Sequence, residues 1–301
     1  MNSIKIVLLF LLNLVFLNAH SILDNWSGAA VDEVYQRPIH LYEKACEYNN
    51  MEACYELGIL NIREYINNRS DDKALKQGIF YLDRSCSQGY TNGCTALAML
   101  YMTKDFNQRD ENKAIMYLEK ACSANSTFAC MALGEIYEQQ ENQDFAKALM
   151  YYQKACNARA QEACAYIGIS YHEGKKVKQD FVKAEEFYKK SISINPNTAS
   201  NYINIFELQL VQNKEFDKTL KLKFLKYFKN DKQSMMYYDM LNILQLISKN
   251  QKINLQKWHT KYKGMKMGEW NFDTIDTWIN QMHNGKIKTN LISAINQFKK
   301  Y

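Results

Sequence analysis

The stretch YYQKACNARAQEACAYIGISYHEG, from Tyr151 to Gly174, holds two cysteines, Cys156 and Cys164, that lie eight positions apart. Every cysteine of the chain belongs to a pair with this spacing. The pairs are Cys46 and Cys54, Cys86 and Cys94, Cys122 and Cys130, and Cys156 and Cys164. The first members of successive pairs lie 40, 36 and 34 residues apart. Self-similarity with a period of about 20 to 50 residues indicates stacked repeats.

The residues around each cysteine pair repeat as well. The first cysteine ends the segments HLYEKAC, FYLDRSC, MYLEKAC and YYQKAC, and the second begins CYELGIL, CTALAML, CMALGEI and CAYIGIS. In the fourth copy, Ala148, Tyr152 and Ala155 form an i, i+4, i+7 stripe, which is the helical period. Each repeat is therefore predicted to be a pair of helices. Such a pair stacks on its neighbours, because alone it cannot bury its apolar face.

The composition agrees with a helical fold. The chain of 301 residues contains two prolines and 11 glycines, so few residues interrupt helices. The pattern continues in a fifth unit without cysteines, where Ile192 and Ser200 are assigned to the cysteine positions. A degenerate sixth pair is predicted from Phe216 to Asn250. We therefore predict an all-α solenoid of α/α helix pairs.

The spacing of the cysteines favours disulfide bonds. Residues eight apart on one continuous helix lie about 12 Å apart, whereas a disulfide needs Cα atoms within about 4.4 to 6.8 Å. A bridge therefore requires a turn between the two cysteines, and the intervening residues include asparagine and glycine. A zinc site is a weaker interpretation, because the chain has no C-x-x-C and its five histidines are scattered. A catalytic cysteine is weaker still, because four equivalent copies would be needed.

The N-terminal residues 1–19 are predicted to be a signal peptide. Lys5 precedes an apolar run from Ile6 to Leu17, and a small residue, Ala19, precedes His20. The alternative is an uncleaved membrane anchor. We predict export to the periplasm or the medium, where an even number of cysteines is typical of disulfides.

The charge divides the chain. The net charge is +6, and residues 214–301 contain 17 lysines against 7 acidic residues. We therefore divide the chain into the signal peptide 1–19, repeats 20–213 and a basic helical segment 214–301, a degenerate repeat or cap. One interpretation of this segment is contact with an anionic surface, and another is a lysine-rich helical surface that is simply solvated. Trp258, Trp270 and Trp278 are candidates for an aromatic and basic patch, but we favour the interpretation that they form the core of a helical cap. We expect no nucleic-acid partner.

These repeats resemble the Sel-one-like repeat family of tetratricopeptide-type α/α repeats, from about Arg37 to Leu210. With the paired cysteines and the signal peptide, the chain is similar to the Helicobacter cysteine-rich protein group of secreted bacterial proteins. The resemblance implies a disulfide-stapled, right-handed superhelix with a concave face. It also implies one of the roles described for that group, as penicillin-binding proteins or weak β-lactamases, or as host-interacting factors.

The residues offer little support for β-lactamase chemistry. A serine β-lactamase uses S-x-x-K together with a K-T-G strand. The chain has one S-x-x-K, from Ser70 to Lys73, and neither K-T-G nor K-S-G. Serine followed by acidic residues is also an ordinary helix N-cap. We therefore assign no catalytic residue, metal or cofactor, and leave open whether the protein is an enzyme.

The predicted function is that of a protein- or peptide-binding scaffold, acting through the concave face as a monomer. The alternative is binding of β-lactams or peptidoglycan fragments. Outward positions of the first helix of each repeat are the candidate contact residues, namely His40, Lys44, Arg84, Lys120, Lys154 and Asn157.

Overall fold

The computed structural model describes residues 31–67, 72–103, 109–139, 144–268 and 270–301, with side chains from residue 39 onward. Over these ranges the chain forms helices and no strand. The helices are α1 (Val31–Glu47), α2 (Met51–Asn67), α3 (Asp72–Ser87), α4 (Thr91–Met102), α5 (Glu111–Ser123), α6 (Thr127–Gln139), α7 (Phe145–Asn157), α8 (Gln161–Glu173), α9 (Phe181–Ile194), α10 (Ala199–Val211), α11 (Lys218–Phe228), α12 (Lys232–Ser248), α13 (Gln256–Lys261), α14 (Asp273–Gln281) and α15 (Lys286–Phe298). The predicted signal peptide and Ser70 lie outside the described residues.

The turn inside each cysteine pair has the same construction in all four copies. The residue three positions after the first cysteine adopts a left-handed backbone, with φ of 63° at Asn49, 90° at Gly89, 64° at Asn125 and 71° at Arg159. Glycine and asparagine reach this conformation most easily. The next amide then donates back to a helix carbonyl, as from Ala160 to Ala155 at 2.9 Å. The left-handed residue therefore ends the first helix and reverses the chain.

The reversal brings the two cysteines together. Each pair forms a disulfide, and the Cα atoms lie 4.6 to 4.8 Å apart. All eight cysteines are buried. The bond joins the end of one helix to the first turn of the next. The predicted fold class, an all-α fold of disulfide-stapled helix pairs, is confirmed.

Small residues in the second helix let the next repeat approach closely. A Cβ atom added to Gly134 would lie 2.6 Å from the ring of Tyr152, and one added to Gly168 would lie 2.8 Å from the ring of Tyr188. Carbon atoms in a packed core do not come this close. Glycine at these positions therefore sets the position of the tyrosine in the following helix.

A second contact also recurs between repeats. A tyrosine near the end of the second helix stacks on an aromatic ring of the following helix, and a lysine lies about 5 Å above the same tyrosine. The stacked rings are Tyr101 with Tyr117, Tyr137 with Tyr151, and Tyr171 with Phe187. The lysines are Lys113, Lys147 and Lys183. Each repeat thus contacts the next through the same aromatic and cationic groups.

The fifth repeat differs from the sequence prediction at one position. Cys164 is the fourth residue of α8, and the fourth residue of α10 is Tyr202, which is fully buried. Ser200 is instead exposed. Its assignment to a cysteine position was wrong, because the connection after α9 is longer and moves the start of α10. After residue 216 the chain forms two helices, α11 and α12, and their description as a degenerate sixth repeat stays a prediction.

The contacts divide the chain into two compact units, one that ends at Tyr117 and one that runs from Leu118 to Tyr301. The boundary falls within α5. In the second unit, a continuous core extends from Ala184 in the fifth repeat to Phe298 in the last helix. Residues 214–301 therefore share a core with the fifth repeat.

Removing one staple tests the contribution of the disulfides. We expect the double variant Cys156→Ala, Cys164→Ala to lose about 2 to 3 kcal/mol of unfolding free energy, because a nine-residue closed loop restricts the unfolded chain by about this amount. Urea unfolding of the oxidised proteins measures the difference. Under reducing conditions the gap should close, because the parent then loses the same bond. An unchanged urea midpoint in the oxidised variant would contradict the prediction.

Candidate functional site

The cationic and amide residues predicted as contacts on the first helices are mostly exposed. Lys44, Lys120, Lys154 and Asn157 lie at the surface, and Arg84 is half-buried. The local partners are on the protein itself: Arg84 donates to Asn49 at 3.3 Å, and Asn157 accepts from Lys190 at 2.7 Å. None of them lines the cavity described below. Their role as ligand contacts stays a prediction.

The structure separates the three tryptophans of the basic segment. Trp258 and Trp278 are 4% and 7% exposed, and Trp258 packs on Phe298 in the core. The surface-patch hypothesis is therefore wrong for these two tryptophans, and the favoured interpretation that they are buried in a core is correct for both. Trp270 is half-buried and stacks on Tyr237, with 4.9 Å between the ring centroids.

Trp270 reaches a cavity of about 470 Å³ in the second unit. We call this cavity the junction pocket, because it lies where the last repeats meet the C-terminal helices. Residues of α8, α9, α10, α12 and the segment 270–274 form its wall. Those that matter most below are Ile169, His172, Tyr188, Ile203, Glu207 and Trp270.

Glu207 is the most unusual residue of the pocket. It lies on α10, where core surrounds nearly every side chain, and it is 4% exposed. Its Oε1 atom has no hydrogen-bond partner among the described residues. Burial raises the pKa of the Glu207 carboxyl from 4.5 to about 8, because a carboxylate loses its hydration there. The carboxyl group is therefore protonated at neutral pH in the free protein.

His172 and Tyr188 form a second polar pair in the wall. The His172 Nδ1 atom lies 3.2 Å from the Tyr188 hydroxyl, and burial lowers the pKa of His172 from 6.5 to about 4. Burial raises the pKa of the Tyr188 hydroxyl, so this group keeps its proton. We assign that proton to the hydrogen bond with His172 Nδ1, because a neutral hydroxyl is a donor. The neutral imidazole then carries its proton on Nε2, which has no partner in the described residues.

Three residues that line the cavity each carry a buried polar atom without a partner among the described residues. The atoms are Glu207 Oε1, His172 Nε2 and Trp270 Nε1. Buried polar groups in proteins are nearly always hydrogen-bonded, and leaving one unpaired costs about 1 to 3 kcal/mol. The side chains around the junction pocket therefore include polar groups whose hydrogen bonds the described structure does not supply.

Sequence reasoning missed this pocket. The signal for Glu207 is present, since a single carboxylate interrupts the apolar run of NYINIFELQLV. His172 was noted only as one of five scattered histidines. Neither residue belongs to a motif, and helices that are distant in sequence bring them together.

The described residues set two limits on other kinds of site. They contain no group of three histidine, cysteine or acidic side chains that could hold a metal ion. Among the helices described, none is long and apolar enough to cross a membrane.

The fold and the pocket define a helix-pair repeat protein with a built cavity. A model of the Sel1 repeat matches residues 26–49, 52–90, 92–126, 127–159 and 161–195, which is more than half of the chain. The chain therefore belongs to the Sel1 repeat family. No curated protein matches the sequence.

Solved structures with the same repeat agree with this assignment. The chain aligns over 87% of its length with a protective antigen from uropathogenic Escherichia coli that displays an SLR fold, at 15% identity and a TM-score of 0.50. It spans 56% of that antigen, and the likeness concerns the fold alone.

Two smaller proteins also match. A Sel1 repeat protein from Oxalobacter formigenes is 20% identical over 48% of this chain and 96% of its own, with a TM-score of 0.35. A sel1 repeat protein from Klebsiella pneumoniae is 21% identical over 68% of this chain and 99% of its own, with a TM-score of 0.36.

The pKa of Glu207 gives a prediction about stability. The carboxyl keeps its proton up to about pH 8 in the folded protein but releases it near pH 4.5 when unfolded. Stability contributed by this group therefore falls as the pH rises through that window. We expect Glu207→Gln to gain stability relative to the parent between pH 5 and pH 8, on the order of a few kcal/mol.

Urea unfolding of both proteins at the two ends of the window measures the effect. Glu162→Gln, at an exposed position of the fourth repeat, is the matched control and should show no such gain. A Glu207→Gln variant whose stability relative to the parent is equal at both pH values would contradict the assignment.

Proposed function

We propose that the protein is an exported, disulfide-stapled Sel1 repeat scaffold that binds a segment of another polypeptide, with the junction pocket as the anchor site. The observation that supports this is the cavity with three unpartnered polar atoms. Its volume of about 470 Å³ falls in the range of about 300 to 1,000 Å³ typical of ligand sites.

The pocket suits a polypeptide in its chemistry. Two unpartnered N–H donors, His172 Nε2 and Trp270 Nε1, match backbone carbonyl oxygens, which are the most abundant acceptors of a peptide. The side chain of Ile169 is 40% exposed, so apolar surface continues from the pocket to the outside of α8. Repeat proteins characteristically bind extended partners along their stacked helices.

The disulfides support the proposal of export. Four buried disulfides indicate an oxidising, extracytoplasmic environment. We propose that the predicted signal peptide directs this export. We also propose that the chain belongs with the secreted, cysteine-rich Sel1 proteins of the Helicobacter type. The anionic contact of residues 214–301, the domain boundary at residue 213 and the monomeric state stay predictions.

The alternative function, binding or hydrolysis of β-lactams, has no observation in its favour. A β-lactam or a peptidoglycan peptide presents a carboxylate. None of the described residues that line the junction pocket is lysine or arginine. The anion would therefore meet no positively charged side chain in the described lining.

Peptide selection tests the binding proposal. A random peptide library displayed on phage is panned against the purified protein. We expect enriched peptides whose affinity falls about ten-fold or more for Ser200→Trp, because a large ring at this exposed wall position obstructs the pocket; ten-fold corresponds to about 1.4 kcal/mol. Fluorescence anisotropy of the synthetic peptides measures the dissociation constants.

Ser193→Trp is the matched control, because Ser193 is an exposed serine of the same helix pair outside the pocket. A library that yields no specific peptide would contradict the binding function. If the peptides bind the parent and Ser200→Trp equally well, the junction pocket is not their anchor site. The variant with alanine at Lys44, Arg84, Lys120 and Lys154 then shows whether the predicted first-helix positions bind instead.

The export proposal has its own test. When the full chain is expressed in a Gram-negative bacterium, we expect the protein in the periplasm or medium with His20 as its first residue and without free thiols. N-terminal sequencing and thiol counting measure both. A product that retains Met1 in the cytoplasm with eight reactive thiols would exclude export.

A further inference from the structure

The junction pocket has an electrostatic asymmetry that points to the chemistry of its ligand. Two carboxyl groups, those of Glu173 and Glu207, line it, and the described lining residues include no lysine or arginine. His172 also contributes no positive charge near neutral pH, since burial lowers its pKa to about 4. Glu173 is paired with Lys175 outside the lining, at 3.5 Å, so Glu207 is the lining carboxyl group without a counter-ion among the described residues.

Other acids of the same unit are paired with lysines. Glu138 bonds Lys176, and Lys261 lies 2.7 Å from Asp239. In the described structure Glu207 has no ion pair of this kind, and burial alone accounts for its raised pKa. A buried acid that is neutral only because it lacks a cation becomes ionised when a ligand supplies one.

Part of the pocket lining is aromatic. The indole of Trp270 lines the pocket and stacks on the ring of Tyr237 at 4.9 Å. The Tyr237 hydroxyl donates to the Met267 carbonyl, and this bond fixes the ring. The face of a tryptophan or tyrosine attracts cations. Ile169 and Ile203 add apolar wall that suits the aliphatic stem of a long basic side chain.

We propose that the junction pocket binds a lysine or arginine side chain of a polypeptide segment, with Glu207 as the counter-ion and Trp270 and Tyr237 as aromatic walls. This rests on the proposed function, because it names the side chain that the bound segment inserts. The unpartnered N–H groups of His172 and Trp270 bind carbonyl oxygens of the same segment. The complex then pairs all three polar atoms that lack partners in the free protein.

Blocked amino acids are the probes that test this directly. The full chain is titrated with Nα-acetyl-lysine methylamide, with the arginine analogue, and with Nα-acetyl-norleucine methylamide, which lacks the ammonium group. The shift of the Trp270 indole N–H resonance reports binding. We expect lysine or arginine to bind about 10- to 100-fold more tightly than norleucine, because a hydrogen bond to a charged group contributes about this factor. Equal binding of all three probes would overturn the proposal.

Proton release provides a readout that needs no variant. Glu207 is protonated near pH 6.5 in the free protein, since its pKa is about 8, and the lysine side chain is cationic there. Ionisation of Glu207 by the bound cation should release about one proton, which calorimetry in two buffers of different ionisation enthalpy measures. The other titratable groups lining the pocket are His172 and Glu173 on α8, Tyr188 on α9 and Tyr237 on α12. Binding without proton release would contradict ion pairing with Glu207.

Two variants locate the site. Glu207→Gln keeps the size of the side chain, and we expect it to bind the lysine probe about ten-fold more weakly or worse and to release no proton. Trp270→Leu should weaken binding through the loss of the aromatic face. Glu162→Gln is the control and should bind as the parent does. Circular dichroism confirms folding, and an unaffected Glu207→Gln variant that is folded overturns the proposal.

The outcomes separate this inference from the proposed function. If the selected peptides need the pocket but carry no lysine or arginine, the binding function stands, and the proposal that the pocket binds a basic side chain is overturned. If binding of the lysine probe depends on Glu207 but the library yields no enriched peptide, the results support the basic-group site and contradict a polypeptide as the partner. Putrescine binding as tightly as the blocked lysine would assign the site to small diamines and overturn the polypeptide as the source.

Discussion

The disulfide across each helix reversal is the constraint on which the structure depends. A left-handed residue ends the first helix, its neighbour's amide returns to a helix carbonyl, and the two cysteines then lie less than 5 Å apart. A pair of short helices buries little apolar surface by itself. The bond holds the pair in one arrangement while its other face packs on the next repeat, and this suits a protein outside the reducing cytoplasm.

Close packing between successive repeats is the second constraint, and it also shapes the junction pocket. Gly168 admits the ring of Tyr188 because a Cβ atom there would be 2.8 Å away. The hydroxyl of the same tyrosine bonds His172, one turn beyond Gly168 on α8. The contact that sets the position of the fifth repeat therefore also fixes one wall of the junction pocket. The proposed binding site therefore depends on a packing contact of the repeat.

The pocket forms where the repeat pattern ends. The fifth helix pair has no staple, and the C-terminal helices cover α10, so its polar residues become buried. Gln209 finds partners in this setting, since it accepts from the Asp217 amide and bonds Glu185. Glu207 Oε1 has no partner among the described residues, and a ligand that paired it would recover the cost of burying an unpaired acid. The stability given up at this position is a physical reason to connect the pocket with binding.

The amino-acid sequence by itself determined the local structure: the helix pairs, the turn inside each C-x7-C and the disulfide partners all depend on residues within one repeat. Ser200 marks where this reasoning failed, because the connection after α9 is longer than in the other repeats. For Trp258 and Trp278 the sequence left a surface patch and a buried core open, because the burial of a ring depends on neighbouring helices. The tertiary structure alone decided that Glu207, His172 and Trp270 share a cavity. No local sequence pattern predicts that these residues are close together, because the packing of helices distant in sequence buries them.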